Sequence, residues 1–171
     1  MEFNFNALIF KSNKAVDHKI LINSLMPSFV IEDEDEIELE DALDLNEDVY
    51  LDMFNIQGDE EKASIVFLPN FEFLDLFELN LENLGDFYAI TFVSVIDYLA
   101  IRRFQKNANN IQLIFEDGKL KHEMGMGPFY GLHGKDAEED LETIFRNQLG
   151  CSFYDLNLYM NGIRYYFEKS M

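Results

Sequence analysis

The sequence predicts an α+β fold: a mostly antiparallel sheet built from hairpins, with two or three packed helices, in one domain over residues 1–171. Strand-like alternation of apolar and polar residues begins at once, in residues 2–10. Two-residue turn signals follow at Asp117-Gly118 and Asn161-Gly162, and a capped helical pattern lies between them at residues 136–149. Elements joined by such short turns favour antiparallel pairing around a single core.

The first third predicts a strand and then a helix. Phenylalanine and aliphatic residues alternate with asparagine in residues 2–10, which is the period of a half-buried strand. Ser12 is placed to cap a short helix that runs to about Met26, where a proline ends it. Ile20 and Leu21 are expected to face inward.

The middle third is harder to assign. Residues 32–36 are five adjacent acids, and their mutual repulsion favours a solvated loop. Residues 48–68 predict a hairpin, and residues 71–78 predict an aromatic strand. Residues 85–106 predict a helix from their length, an aspartate cap and cations at the far end, although β-branched and aromatic residues at 88–96 favour a strand.

The last third has the strongest local signals. Residues 111–116 and 119–124 flank Asp117-Gly118 and predict a hairpin. Residues 136–149 predict a helix with acids in its first turn, Arg146 near its end and Gly150 as its cap. Residues 152–160 and 163–167 flank Asn161-Gly162 and predict a second hairpin.

The charge of −20 is concentrated in one part of the chain. Between residues 20 and 101 there are 21 acidic residues and one basic residue, Lys62, whereas the remaining residues are balanced. A solubilising surface normally mixes both signs, so this segregation predicts a basic partner. The predicted partner-binding residues are the carboxylates of the densest stretch: Glu32, Asp33, Glu34, Asp35, Glu36, Glu38, Glu40, Asp41, Asp44, Glu47 and Asp48.

The composition also excludes several classes of protein. The single cysteine, Cys151, leaves no intrachain disulfide and fits a reducing, cytoplasmic location. The sequence shows neither a signal peptide nor an apolar run long enough to span a membrane. Its acidity argues against direct binding of nucleic acid or anionic lipid, because both are bound through Lys and Arg.

Known site motifs fail in detail. Asp44, Asn46 and Asp48 have the spacing of a calcium loop, but Val49 occupies the position that needs glycine. The glycine-rich residues 125–135 match neither the P-loop nor the dinucleotide pattern. The sequence therefore predicts no metal site and no cofactor.

Catalysis has equally little support in the sequence. His122, His133 and Cys151 include a base and a nucleophile, but nothing in their spacing brings them together. A lone cysteine after a helix is more often a small packed residue. The sequence therefore predicts no catalytic residue, and its first interpretation is that the protein is not an enzyme.

The leading hypothesis is an acidic inhibitor or immunity-type protein that blocks the basic site of a nucleic-acid-processing partner, such as a nuclease or toxin. In one version the carboxylates stand in for phosphates, so the protein is a nucleic-acid mimic. Two alternatives stay open: a small cytoplasmic enzyme with a site near residues 125–135, and a structural binder of basic proteins.

Overall fold

A computed structural model describes residues 4–12, 17–43, 50–57, 62–68, 87–104, 111–117, 119–124, 136–157 and 160–169. They contain nine strands, three α-helices and a short 3₁₀ turn. The strands are β1 (Asn4–Ser12), β2 (Phe29–Glu38), β3 (Tyr50–Gln57), β4 (Lys62–Leu68), β5 (Phe87–Val93), β6 (Tyr98–Phe104), β7 (Ile111–Glu116), β8 (Lys119–Met124) and β9 (Asn161–Lys169). The helices are α1 (His18–Leu25), α2 (Leu39–Ala42) and α3 (Ala137–Leu149), and the 3₁₀ turn is Ser94–Ile96.

All nine strands form one antiparallel sheet in the order β2-β9-β3-β4-β1-β5-β6-β7-β8. The predicted α+β class is therefore confirmed, with more strand than helix. β3 and β4 pair as predicted for residues 48–68, and β7 and β8 pair across the Asp117 turn. β9, late in the chain, lies between β2 and β3 and leaves β2 at the edge.

Strand β1 lies at the centre of the sheet and is buried on both faces. Phe5, Ala7 and Ile9 belong to one apolar core, and Leu8 belongs to the other. The predicted strand is confirmed, but it is not half-buried, because Asn6 on the second face is also fully buried. The sheet therefore separates two cores, with α2 and α3 packed on the first and α1 on the second.

Helix α3 covers the first core and agrees with the prediction. The Asp136 side chain accepts hydrogen bonds from the main-chain N–H groups of Glu138 and Glu139, which would otherwise lack partners. Gly150 ends the helix at φ +71°, a left-handed conformation that suits glycine. Leu141 and Phe145 are buried against the sheet.

Helix α1 packs on the second core but starts later than predicted. Its N-cap is Asp17, which accepts from the N–H of Ile20, whereas Ser12 belongs to β1. Leu21 is buried as expected, but Ile20 is 66% exposed, so that part of the prediction is wrong. Leu21, Ile22 and Met26 form the buried side of this segment, and Ile20 lies outside it.

The predicted helix over residues 85–106 is wrong. This segment forms β5, a 3₁₀ turn and β6, which pair with each other from Phe87↔Phe104 to Val93↔Tyr98. Asp97 makes the reversal possible at φ 47°, a conformation that aspartate adopts more readily than most residues. The β-branched and aromatic content decided the structure, because this hairpin places alternating residues in the two cores.

The predicted hairpin around Asn161-Gly162 is also wrong. Both residues lie inside β9, opposite Glu38 and Ile37 of β2, and residues 152–157 form no strand. Gly162 is needed for a different reason: a Cβ there would overlap the ring of Phe54. The other segments with predictions, residues 71–78 and 125–135, lie outside the described residues.

We expect Gly162→Ala to destabilise the fold by about 1–3 kcal/mol, the usual range for forcing an extra methyl into a packed core. Urea unfolding would measure the loss. Phe54→Leu should recover part of it in the double variant, because the smaller side chain vacates the space. Gly150→Ala is the control, since open space surrounds it and Phe54→Leu should not rescue it. If the effects of Gly162→Ala and Phe54→Leu on the free energy of unfolding simply added in the double variant, this explanation would be wrong.

Candidate functional site: an acidic sheet edge

The acidic stretch is part of the sheet and not a solvated loop. Strand β2 includes residues 32–36 and pairs with β9 alone among the described strands. Neighbouring side chains of a strand point to opposite faces, so same-face carboxylates lie about 6–7 Å apart, which weakens the repulsion that favoured a loop. Half-buried Phe29, Ile31 and Ile37 anchor both ends of the strand on the two cores.

We define the acidic edge as the exposed carboxylates of β2 and α2. Asp33 and Asp35 lie opposite Tyr166 and Arg164 of β9, on the face that α2 and α3 cover. Glu34 and Glu36 point to the other face, near α1. Eight of the eleven predicted partner-binding residues lie on this edge: Glu32, Asp33, Glu34, Asp35, Glu36, Glu38, Glu40 and Asp41. The other three, Asp44, Glu47 and Asp48, are outside the described residues.

Little positive charge is bonded to this edge within the described residues. Lys19 Nζ of α1 lies 3.3 Å from Glu34 Oε2, and both side chains are more than half exposed. Such an exposed pair contributes at most about 1 kcal/mol. The edge therefore keeps most of its negative charge.

Arg164 of β9 lies opposite Asp35 of the acidic edge, but its guanidinium pairs with a buried carboxylate. Its Nε and Nη2 donate to Asp52 Oδ1 and Oδ2 at 2.7 and 2.8 Å, a bidentate pair between β9 and β3. The guanidinium also stacks on the ring of Tyr50, 3.9 Å from its centroid. Asp35 of β2 and Asp52 of β3 are both paired with Arg164, one on each side of β9, but the guanidinium is turned toward Asp52.

The ion pair joins two groups that sequence analysis could not connect, because 112 residues separate them. Asp52 is fully buried. Burial raises the pKa of its carboxyl group, and the hydrogen bonds from Arg164 oppose that rise. The hydrogen bonds with Asp52 raise the pKa of Arg164, so its guanidinium stays charged.

The pKa of one carboxyl group at the edge, Glu32, is raised above its ordinary value. Glu32 lies at the bulge of β2, where the register shifts between Ile31 and Asp33, and approaches Glu168 of β9. Desolvation raises the pKa of Glu32, and the charge of Glu168 and a hydrogen bond with it raise it further. Glu32 therefore binds a proton more readily than an isolated glutamate does.

His18 forms a second link that sequence analysis missed. Its Nδ1 lies 3.1 Å from the Tyr165 hydroxyl, and its Nε2 lies 3.1 Å from Asn55 Nδ2. The amide Nδ2 can only donate, so Nε2 accepts and Nδ1–H donates to Tyr165. This neutral tautomer joins α1 to β3 and β9, beside the Lys19 contact with the edge.

The other candidate residues form no site among the described part of the chain. No group of three or more His, Cys, Asp or Glu there is arranged to hold a metal ion. Cys151 carries a partly buried thiol that is not in a disulfide, and the ring of His122 and all of His133 lie outside the described residues. No described helix is long and apolar enough to cross a membrane.

No family model, curated protein or solved structure that was compared with this chain matches it.

Replacing Arg164 with methionine should destabilise the protein by about 3–5 kcal/mol, because it leaves the Asp52 carboxylate buried without its partner. Chemical unfolding at pH 7 would measure the change. The double variant Arg164→Met with Asp52→Leu should recover much of the loss, since it removes the orphaned charge. A loss below 1 kcal/mol for Arg164→Met alone would show that the pair adds little.

Acid should weaken the docking of α1 through His18. Burial lowers the pKa of His18 below its ordinary value of 6.5, although the nearby carboxylate of Asp17 opposes this shift. The unfolded chain then binds a proton more readily, so His18 stabilises the fold above pH 6.5 and this contribution is lost as the pH falls from 6.5 through the folded pKa.

The free energy of unfolding of the parent and of His18→Gln, measured from pH 8 to pH 5, tests this expectation. The glutamine variant cannot titrate, so the parent should lose more stability than the variant across that range. Parallel pH profiles for the two proteins would contradict it.

Proposed function

We propose that this chain is a non-enzymatic binding protein of the inhibitor or immunity type. Its acidic edge would occupy the cationic site of a nucleic-acid-processing partner, such as a nuclease or toxin. The observation that carries the proposal is the array of exposed carboxylates, from Glu32 to Glu36, held on one rigid strand. With a single cysteine, the chain suits a reducing compartment, and the proposed location is the cytoplasm.

The rigidity of the array supports a binding role. A flexible acidic loop would lose conformational freedom on binding, and that loss would subtract from the affinity. The acidic edge is ordered in advance, because β2 pairs with β9 along its length and inserts Ile31 and Ile37 beside the two cores. Its charges therefore reach a partner with little further ordering.

The spacing of the charges supports the nucleic-acid mimic version. Strands rise about 3.3 Å per residue, so residues 32–36 project one negative charge per ~3.3 Å along the strand. A single strand of duplex DNA carries one phosphate per ~3.4 Å of helix axis. A cationic groove that fits a phosphate backbone would therefore meet a similar linear charge density.

The long-range field supports fast association. The chain carries a formal charge of −20, and the basic residues lie almost entirely outside residues 20–101. A concentrated field of one sign steers an oppositely charged partner and can raise on-rates by roughly 10- to 1,000-fold. The same field acts against folding by self-repulsion, which is a cost that a partner-binding role explains.

Replacing Glu34, Glu36, Glu38 and Glu40 with Gln should slow association with the partner, by up to the roughly 10- to 1,000-fold that steering supplies. The salt dependence of the on-rate should flatten, and the off-rate should change less. Stopped-flow kinetics at three salt concentrations would measure both rates.

A matched control removes the same number of charges elsewhere: Glu116→Gln, Asp117→Asn, Glu139→Gln and Asp155→Asn. These side chains are exposed and belong neither to β2 nor to α2. The control should keep the parent on-rate within about twofold if position matters beyond net charge. Equal slowing by both sets would leave only a net-charge effect and would contradict the assigned site.

The partner can be found with the same three proteins. Immobilised parent, edge variant and control would capture proteins from the native cell lysate at low and moderate salt, followed by quantitative mass spectrometry. The proposal expects a nucleic-acid-binding protein retained by the parent and the control and lost from the edge variant. Identical captures by all three would contradict a role for the acidic edge.

A further inference from the structure

Among the described residues, no strand pairs with the outer side of β2, which is therefore called its open side. The Leu39 N–H donates to Met160 O just beyond the end of the β2–β9 ladder, at 3.1 Å. Along an antiparallel strand, the main-chain N–H and C=O groups of successive residues point alternately to one neighbour and to the other. The main-chain groups of Asp35 and Ile37 therefore bond to β9, and those of Glu34 and Glu36 point outward. The main-chain N–H of Glu34 follows this alternation, because it donates to Oδ1 of the neighbouring Asp33 at 2.9 Å and not to β9.

The open side is selective about what can join it. Natural sheets protect their edges with charges and bulges, and β2 has both: adjacent carboxylates at 32–36 and a register shift between Ile31 and Asp33. Pairing two copies of β2 would place acids opposite acids, which is destabilising. A neutral strand would desolvate the carboxylates without compensation, whereas a cationic strand would neutralise them.

We propose that the acidic edge binds an extended cationic segment of its partner by adding it to the sheet as an antiparallel strand beside β2. This inference rests on the proposed function and specifies how the contact is made. Main-chain hydrogen bonds to the N–H and C=O of Glu36 and to the C=O of Glu34 supply the alignment, and the carboxylates select the sequence.

The faces of β2 define the segment that fits. Glu34, Glu36 and Glu38 share one face, so the added strand carries Lys or Arg at three alternate positions opposite them. Between these cations, one side chain meets the partly buried Ile37 and is apolar. Lys19 already contacts Glu34 and competes for that end. The central contact is the residue opposite Glu36, whose N–H and C=O both face outward.

The probe is a capped peptide with the sequence Thr-Lys-Val-Lys-Thr-Lys-Thr. In the proposed register the lysine N–H groups point toward β2, and those of the residues between them point away. Two forms of the peptide with methylated main-chain nitrogens test this. One is methylated at the main-chain nitrogens of all three lysines, and the other at those of valine and the two threonines that follow lysines. Both carry the same charge and the same number of methyl groups.

Fluorescence anisotropy at low salt would measure the dissociation constants. Methylating the lysines removes the main-chain donors to β2, so we expect binding to weaken by about tenfold or more, since each hydrogen bond contributes modestly. The other methylated peptide should bind within about twofold of the unmodified one. Equal weakening by both patterns, or by neither, would overturn strand addition.

A variant of the protein tests the other half of the contact. Proline is tolerated on an edge strand where its missing N–H would face solvent. Glu36→Pro removes the outward donor, and Glu36→Gln removes the same charge alone. Both should pair β2 with β9 as judged by circular dichroism, and Glu36→Pro should bind the peptide several-fold more weakly than Glu36→Gln. If the proline variant failed to fold, the methylated peptides would still decide the question.

The outcomes separate this inference from the function on which it rests. The Gln variant at 34, 36, 38 and 40 should lose the unmodified peptide. If it bound as tightly as the parent, the acidic edge would not be a cation site and the proposed function would fall. If it lost binding but methylation had no effect, charge recognition would stand and strand addition would be wrong. Concentration-dependent self-association that Glu36→Pro abolished would instead assign the edge to a second copy and overturn the proposal.

Discussion

The insertion of β9 between β2 and β3 is the contact on which the acidic edge depends. The bidentate pair between Arg164 and Asp52 connects β9 to β3, and Gly162 lets the ring of Phe54 lie across the strand. Without β9, the strand that carries residues 32–36 would have no partner. The geometry of the candidate site is thus set by a strand more than a hundred residues away in sequence.

The same contact determines the sign of the surface. Arg164 lies between carboxylates of β2 and β3, and it could have neutralised either. Because its nitrogens bond the buried Asp52, the positive charge is used where an unpaired carboxylate would cost most. The guanidinium is turned away from the exposed Asp35, which lies opposite Arg164 on β2. One side chain therefore stabilises the interior carboxylate and leaves the exposed carboxylate opposite it without that positive charge.

Local signals in the sequence predicted what local interactions decide. The helix at 137–149, with its Asp136 cap and Gly150 end, and the hairpins of β3–β4 and β7–β8 followed from turn and cap residues. The acidic strand did not, because repulsion at 32–36 favours a loop until β9 pairs with it. Asn161-Gly162 resembled a turn, but its glycine serves the Phe54 packing. The sequence alone suggested which carboxylates belong to the candidate site, but their arrangement on an edge strand depends on a distant strand that the sequence does not reveal.

The distance between β2 and β9 along the chain has a consequence for how the protein reaches its fold. Glu38 and Asn161 pair across more than 120 residues, so this ladder closes late compared with the local hairpins, and topologies of this kind fold slowly. Until then β2 is an unpaired strand beside apolar residues, the type of segment that associates with the wrong partner. Its five adjacent carboxylates keep such segments on different chains apart. The acids at the edge therefore protect this strand against aggregation while the chain folds.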